Sequence, residues 1–100
     1  MPYIKKEDRV KWESGIKSTN LAMNTHGVTP GDLNYIITRI VHDYIDLKGL
    51  SYTYANDVVG VLESAKAELQ RRIIDKYEDE KIYENGDLPL TALLDSERFK

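Results

Sequence analysis

The sequence predicts an all-α protein, a compact bundle of about three helices. Three observations carry this. Between Pro30 and Lys81, two segments repeat their apolar residues at helical period, and no segment sustains the alternation of a strand. A short glycine-containing break joins them, the kind of connection that neighbouring antiparallel helices use. Ordinary apolar content and a net charge of only −3 argue against disorder, and no apolar run approaches the length of a membrane span.

In chain order, Met1–Ile4 is short, and Pro2 favours an extended start. From about Lys5 to Asn24 the pattern is helical but partial, with Val10, Trp12, Ile16, Leu21 and Met23 as its apolar positions. Gly15 costs about 1 kcal/mol against alanine in a helix interior, so one helix or two broken near Gly15 are both open. The run from Thr25 to Gly31 reads as a loop. Thr29 can cap the next helix, Pro30 suits its first position, and Asp32 lies near the positive end of the helix dipole. Leu33, Ile36, Ile37, Ile40, Val41, Tyr44 and Ile45 then form one stripe, and Lys48-Gly49 ends the helix after about Leu47.

The third helix is expected to start between Ser51 and Asn56, since Tyr52-Thr53-Tyr54 is too short and isolated for a sheet. Val58, Val61, Leu62, Ala65, Leu69 and Ile73 make its stripe, and the helix runs to about Lys76, or through Glu80 or beyond. Gly60 leaves room for a neighbouring backbone or a ligand. Asn85-Gly86-Asp87 ends the helix with a turn. In the tail, Leu90, Leu93 and Leu94 suit one short helical turn, and order weakens after about residue 95. Residues 1–100 are expected to form a single domain whose two stripes bury against each other. Two stripes and a weak first helix make a thin core, so a homo-oligomer built from two-fold dimers is expected. Tyr44, Leu50, Tyr52 and Tyr54 are its interface candidates.

Composition narrows the function. The chain has no cysteine, which removes disulfides and thiolate metal sites, and its two histidines, His26 and His42, are too few for an imidazole-rich centre. The small negative charge argues against binding DNA or RNA polymers. MPYIKKEDR lacks a signal-peptide core, so a cytoplasmic location away from membranes is expected. Seven tyrosines against one phenylalanine suit half-buried positions and surfaces that meet a partner.

Glu78, Asp79, Glu80, Glu84 and Asp87 form an acidic cluster, in which Glu80 and Glu84 lie one helical turn apart and could hold magnesium. All-α nucleotide hydrolases use two such motifs. Only one occurs here, interrupted by Lys81 and crossed by Asn85-Gly86, so a solvated helix end is the plainer reading. Lys66, Arg71, Arg72 and Lys76 place positive charge on the third helix, where they suit phosphate or pair with Glu63, Glu68 and Asp75. Asn34, Tyr35, Thr38 and Arg39 border the second helix's stripe and offer an amide, a ring, a hydroxyl and a guanidinium. They suit a base and its phosphate, an oligomer contact or plain surface. His42 beside Asp43 reads as a solvated pair. No nucleophile elbow, phosphate loop, HExxH or dinucleotide fingerprint occurs, so neither catalysis nor a cofactor is expected.

Four stretches carry a family resemblance: MPYIKKEDR at the start, GDLNYIITR at 31–39, NDVVGVLESAKAELQRR at 56–72 and YEDEKIYENGD at 77–87. They resemble a small single-domain family of bacteriophages and prokaryotes, long described only as a domain of unknown function. The segment from Trp12 to Thr29 and the tail after Leu88 match little. The family looks like phage immune-evasion sponges, oligomers that sequester nucleotide signals such as cyclic dinucleotides without cleaving them. The resemblance therefore implies a nucleotide partner in the host cytoplasm, bound by Asn34, Tyr35, Arg39, Asn56, Lys66, Arg71, Arg72 and Tyr77. These residues lie in the matching stretches and have the needed chemistry. A non-catalytic protein-interaction module is the alternative. A magnesium-dependent hydrolase using Glu63, Glu80 and Glu84 is the third class.

Overall fold

A computed structural model describes residues 4–87. Its elements are α1 (Lys6–His26), α2 (Pro30–Lys48), α3 (Tyr52–Leu69), a π-helical segment (Gln70–Ile74) and α4 (Asp75–Asn85). The fold is all-α, with no strand among the described residues. The chain divides into two units between Ser64 and Ala65, inside α3. Each is described by itself.

In the first unit, α1 runs unbroken through Gly15. The cost of one glycine is spread over a helix of 21 residues. Thr19 donates its hydroxyl to the Gly15 carbonyl at 3.1 Å, and Thr25 does the same to Leu21 at 2.8 Å. The start of α2 follows from local chemistry. The Asp32 N–H donates to the Thr29 hydroxyl at 3.1 Å, and the Thr29 N–H donates to the Asp32 carboxylate at 2.9 Å. This reciprocal cap satisfies two donors that a helix start otherwise leaves without partners. At the other end the Gly49 N–H closes on the Ile45 carbonyl at 2.8 Å, and the φ of 99° at Gly49 turns the following chain out of the helix. Ser51 then opens α3, its hydroxyl accepting from the Tyr54 N–H at 3.3 Å. Tyr52-Thr53-Tyr54 is thereby the first turn of a helix.

No described side chain is buried. The expected burial of the two stripes against each other does not occur, and α2 and α3 do not pack along their lengths. The reason lies in the width of the α2 stripe. Ile36 on one flank and Val41 and Ile45 on the other are half-buried, as are Met23 of α1 and Tyr54, Ala55 and Val58 of α3. The middle of the stripe stays open, with Ile37 39% and Ile40 59% exposed. Gly60 likewise receives no neighbour, since a Cβ there would meet nothing within 4 Å.

In the second unit, the π segment widens the helix by one residue. The Asp75 N–H reaches back five residues to the Gln70 carbonyl, and the Gln70 amide donates to the Asp75 carboxylate at 2.7 Å. The insertion shifts the helical phase, so the apolar series continues at Ile74, Tyr77 and Ile82 of a helix that reaches Asn85. Gly86 ends it with φ 85° and an N–H donated to the Ile82 carbonyl at 2.8 Å. The short turn expected at Leu90, Leu93 and Leu94 and the weakening of order after residue 95 lie outside the described residues.

Candidate functional site

The C-terminal half of α1 and the N-terminal half of α2 enclose an open groove of about 810 Å³. Only Gly27, Val28 and Thr29 link the two helices, and residues of both line the groove. Thr19, Ala22, Met23 and His26 line one wall at helical spacing, with Ser18 beside them. Asp32, Tyr35, Ile36, Arg39 and Ile40 line the other. Ala22, Met23, Val28, Ile36 and Ile40 make the surface mostly apolar. Tyr35, Arg39, His26 and Asp32 supply the polar groups.

Tyr35 and Arg39, one turn apart, act as a unit. Arg39 Nη1 donates to the Tyr35 hydroxyl at 2.8 Å, and the guanidinium carbon lies 5.7 Å from the ring centroid. The Tyr35 hydroxyl, and secondarily the Asp43 carboxylate one turn on, hold the guanidinium pKa above its ordinary value. Because the bonded partner is a neutral phenol, the positive charge is oriented without being cancelled. Asp32 titrates below the usual carboxylate range, held there first by the Thr29 N–H and then by the Thr29 hydroxyl. Chemically, the groove offers an exposed ring to stack on and a planar cation for an oxyanion, beside a mostly apolar surface.

The eight residues expected to bind ligand fall four in each unit. In the first, Tyr35 and Arg39 line the groove and Asn34 and Asn56 do not. The Asn34 amide oxygen instead accepts from the Thr38 hydroxyl at 3.4 Å. In the second unit, Glu68 holds both arginines: Arg71 Nη2 lies 3.0 Å and Arg72 Nε 2.7 Å from its carboxylate. Lys66 sits on α3, and the Tyr77 ring carries the Lys81 ammonium 5.5 Å from its centroid. The alternative pairing of the arginines, read from their spacing to Glu68, is thus what the structure contains.

Thr19, Met23, His26 and Asp32 were not among the expected site residues. Their signal was present as the spacing i, i+3, i+4, i+7 of Thr19, Ala22, Met23 and His26, but that face mixes polar and apolar residues and forms no stripe. Glu80 and Glu84 do share α4, and Glu84 pairs with Lys81 at 3.2 Å. Among the described residues no three carboxylate or imidazole groups gather as a metal site. No described helix is long and apolar enough to cross a membrane.

Residues 1–88 match the family described as Domain of unknown function (DUF6899), and the chain belongs to that family. No curated protein and no solved structure matches the chain.

Proposed function

We propose that this family member is a non-catalytic binding protein that captures a nucleotide signal of the cyclic dinucleotide class and holds it unchanged. The observation that carries this reading is the Tyr35–Arg39 pair on the wall of the groove, where a base can stack and a phosphate can meet a guanidinium not cancelled by its bonded partner. A cyclic dinucleotide has two bases and two phosphates, and one groove offers one such ring and one such cation. Two copies of the chain would offer a matched set, so the protein works as a homo-oligomer. The resemblance to phage immune-evasion sponges supplies the setting, the cytoplasm of an infected cell.

The test is to incubate the protein with a panel of cyclic and linear nucleotides, with and without magnesium, then heat it and analyse what is released. Intact cyclic dinucleotide, in proportion to subunits, is the expected result. Metal-dependent degradation of many molecules per subunit would make the protein a hydrolase and promote Glu80 and Glu84 to ligands. Retention of nothing would favour the second reading, an interaction module, which the open apolar middle of the α2 stripe supports.

A further inference from the structure

The apolar residues that α2 leaves open follow a rule of their own. Leu33, Ile37, Ile40, Tyr44 and Leu47 are spaced four, three, four and three residues apart, and all five are exposed, Leu47 by 86%. This is the alternation of a coiled-coil seam, narrower than the stripe of a helix that packs into its own domain. The half-buried flank residues Ile36 and Val41 lie on either side of it.

Charges beside the seam say what covers it. Asp43 precedes Tyr44 on one flank and Lys48 follows Leu47 on the other, five residues apart. In a parallel, in-register pair of identical helices these two flank positions face each other across the seam, so each Asp43 meets Lys48 of the second copy, twice by symmetry. An antiparallel pair sets each flank against itself. There Asp43 finds only Ile36 or another Asp43, and Lys48 finds Asn34, Val41 or another Lys48. Within its own chain Lys48 lies 6.0 Å from the Tyr44 ring centroid, beside the seam.

We infer that α2 pairs with α2 of a second copy of this chain, parallel and in register, through Leu33, Ile37, Ile40, Tyr44 and Leu47. The core missing from the single chain forms between copies. Of these five residues only Ile40 also lines the groove, so Tyr35 and Arg39 stay accessible in the pair. The inference deepens the assembly part of the proposed function and does not depend on any nucleotide.

The chain has no cysteine, which makes the test direct. Ile37→Cys and Leu47→Cys are made singly, checked for helicity by circular dichroism, and oxidised without nucleotide. Parallel in-register pairing predicts that each variant cross-links to itself. Cross-linking only in a mixture of the two variants would mean an antiparallel pair, and cross-linking in neither sample would mean a different surface. Either overturns the inference. Asp43→Lys and Lys48→Asp add an independent arm. Each alone sets like charges across the seam and should raise the dimer dissociation constant several-fold at low salt, less at high salt. The double variant should restore it. A double variant as weak as the singles, or a wild-type chain that is monomeric by light scattering at tens of micromolar, overturns the inference. Because nucleotide is absent throughout, a different orientation or surface would leave the ligand reading standing. A monomeric wild type, in contrast, would also remove the second ring and cation that reading takes from a second copy.

Discussion

Arg39 in α2 and the Arg71–Arg72 pair in the π segment are the same side chain held in two ways. Arg39 leans on a phenol, which accepts its hydrogen bond and leaves its charge intact. Arg71 and Arg72 share one carboxylate, Glu68, whose side chain is 25% exposed. A neutral partner orients a cation for an incoming anion, whereas an acidic partner competes with that anion. The same contrast extends to the surroundings. Arg39 stands on the wall of a mostly apolar groove, whereas Arg71 and Arg72 stand beside Glu68.

The largest effect that tests this contrast is on binding. Arg39→Ala should lose a charge-assisted hydrogen bond of about 1.5–3 kcal/mol, roughly 10-fold to over 100-fold in nucleotide affinity. Arg71→Ala and Arg72→Ala should cost much less by the same titration calorimetry. Equal losses at all three positions would erase the distinction between the two regions.

Next in size is the cap that fixes the groove's second wall. Thr29→Ala should destabilise the protein by about 1 kcal/mol in thermal or urea melts. The same cap sets a pH dependence. Asp32 titrates lower in the folded chain than its ordinary 3.8, so its contribution is complete above that value and is lost as pH falls through the lower folded one. Helicity followed from about pH 5 to about pH 2 should therefore fall in the wild type, with a shallower fall in Thr29→Ala. Identical acid curves would show that the Thr29 hydroxyl adds nothing to what its N–H, kept in the variant, does for Asp32.

Gly60→Ala asks whether the open face of α3 is open in solution. A Cβ there meets only open space, so the change should stabilise by about 0.5–1 kcal/mol. A loss of stability would reveal a backbone packed at Gly60.

Glu68→Gln should have the smallest effect on the fold, less than about 1 kcal/mol, because the pairs it breaks are largely exposed on the arginine side. Its use is to sharpen the opening contrast. With the carboxylate neutralised, Arg71 and Arg72 should gain affinity for inorganic phosphate or nucleotide. No gain in calorimetry would show that Glu68 is not what separates them from Arg39.

The ends of α2 were legible to within a residue. Thr29, Pro30 and Asp32 at one end and Lys48-Gly49 at the other act through the two or three nearest peptide groups, and such short-range chemistry is written locally. Tyr35 and Arg39 were legible for the same reason, being four residues apart on a helix. The π segment was not, because it depends on a five-residue reach between Gln70 and Asp75 that no local propensity encodes. The α1 wall of the groove was not legible either, since Thr19, Met23 and His26 become a site only once α2 lies opposite. The stripe taught the most general lesson. Leu33, Ile37 and Ile40 announce by their spacing that they avoid water, but spacing alone does not say whose atoms will cover them.

Within this chain, contacts join mostly residues close together in sequence. Helices of this kind form in about a microsecond or less, so their formation within one molecule is fast. In the α2 pairing we infer, the meeting of two molecules is a further step, and its rate scales with how many are present. A dilute chain waits, with its apolar seam in water, where proteases can reach it. Abundance would therefore set the lifetime of this protein as well as its amount: each new copy shortens the wait of the others, and below a threshold of synthesis the chains are lost before they meet.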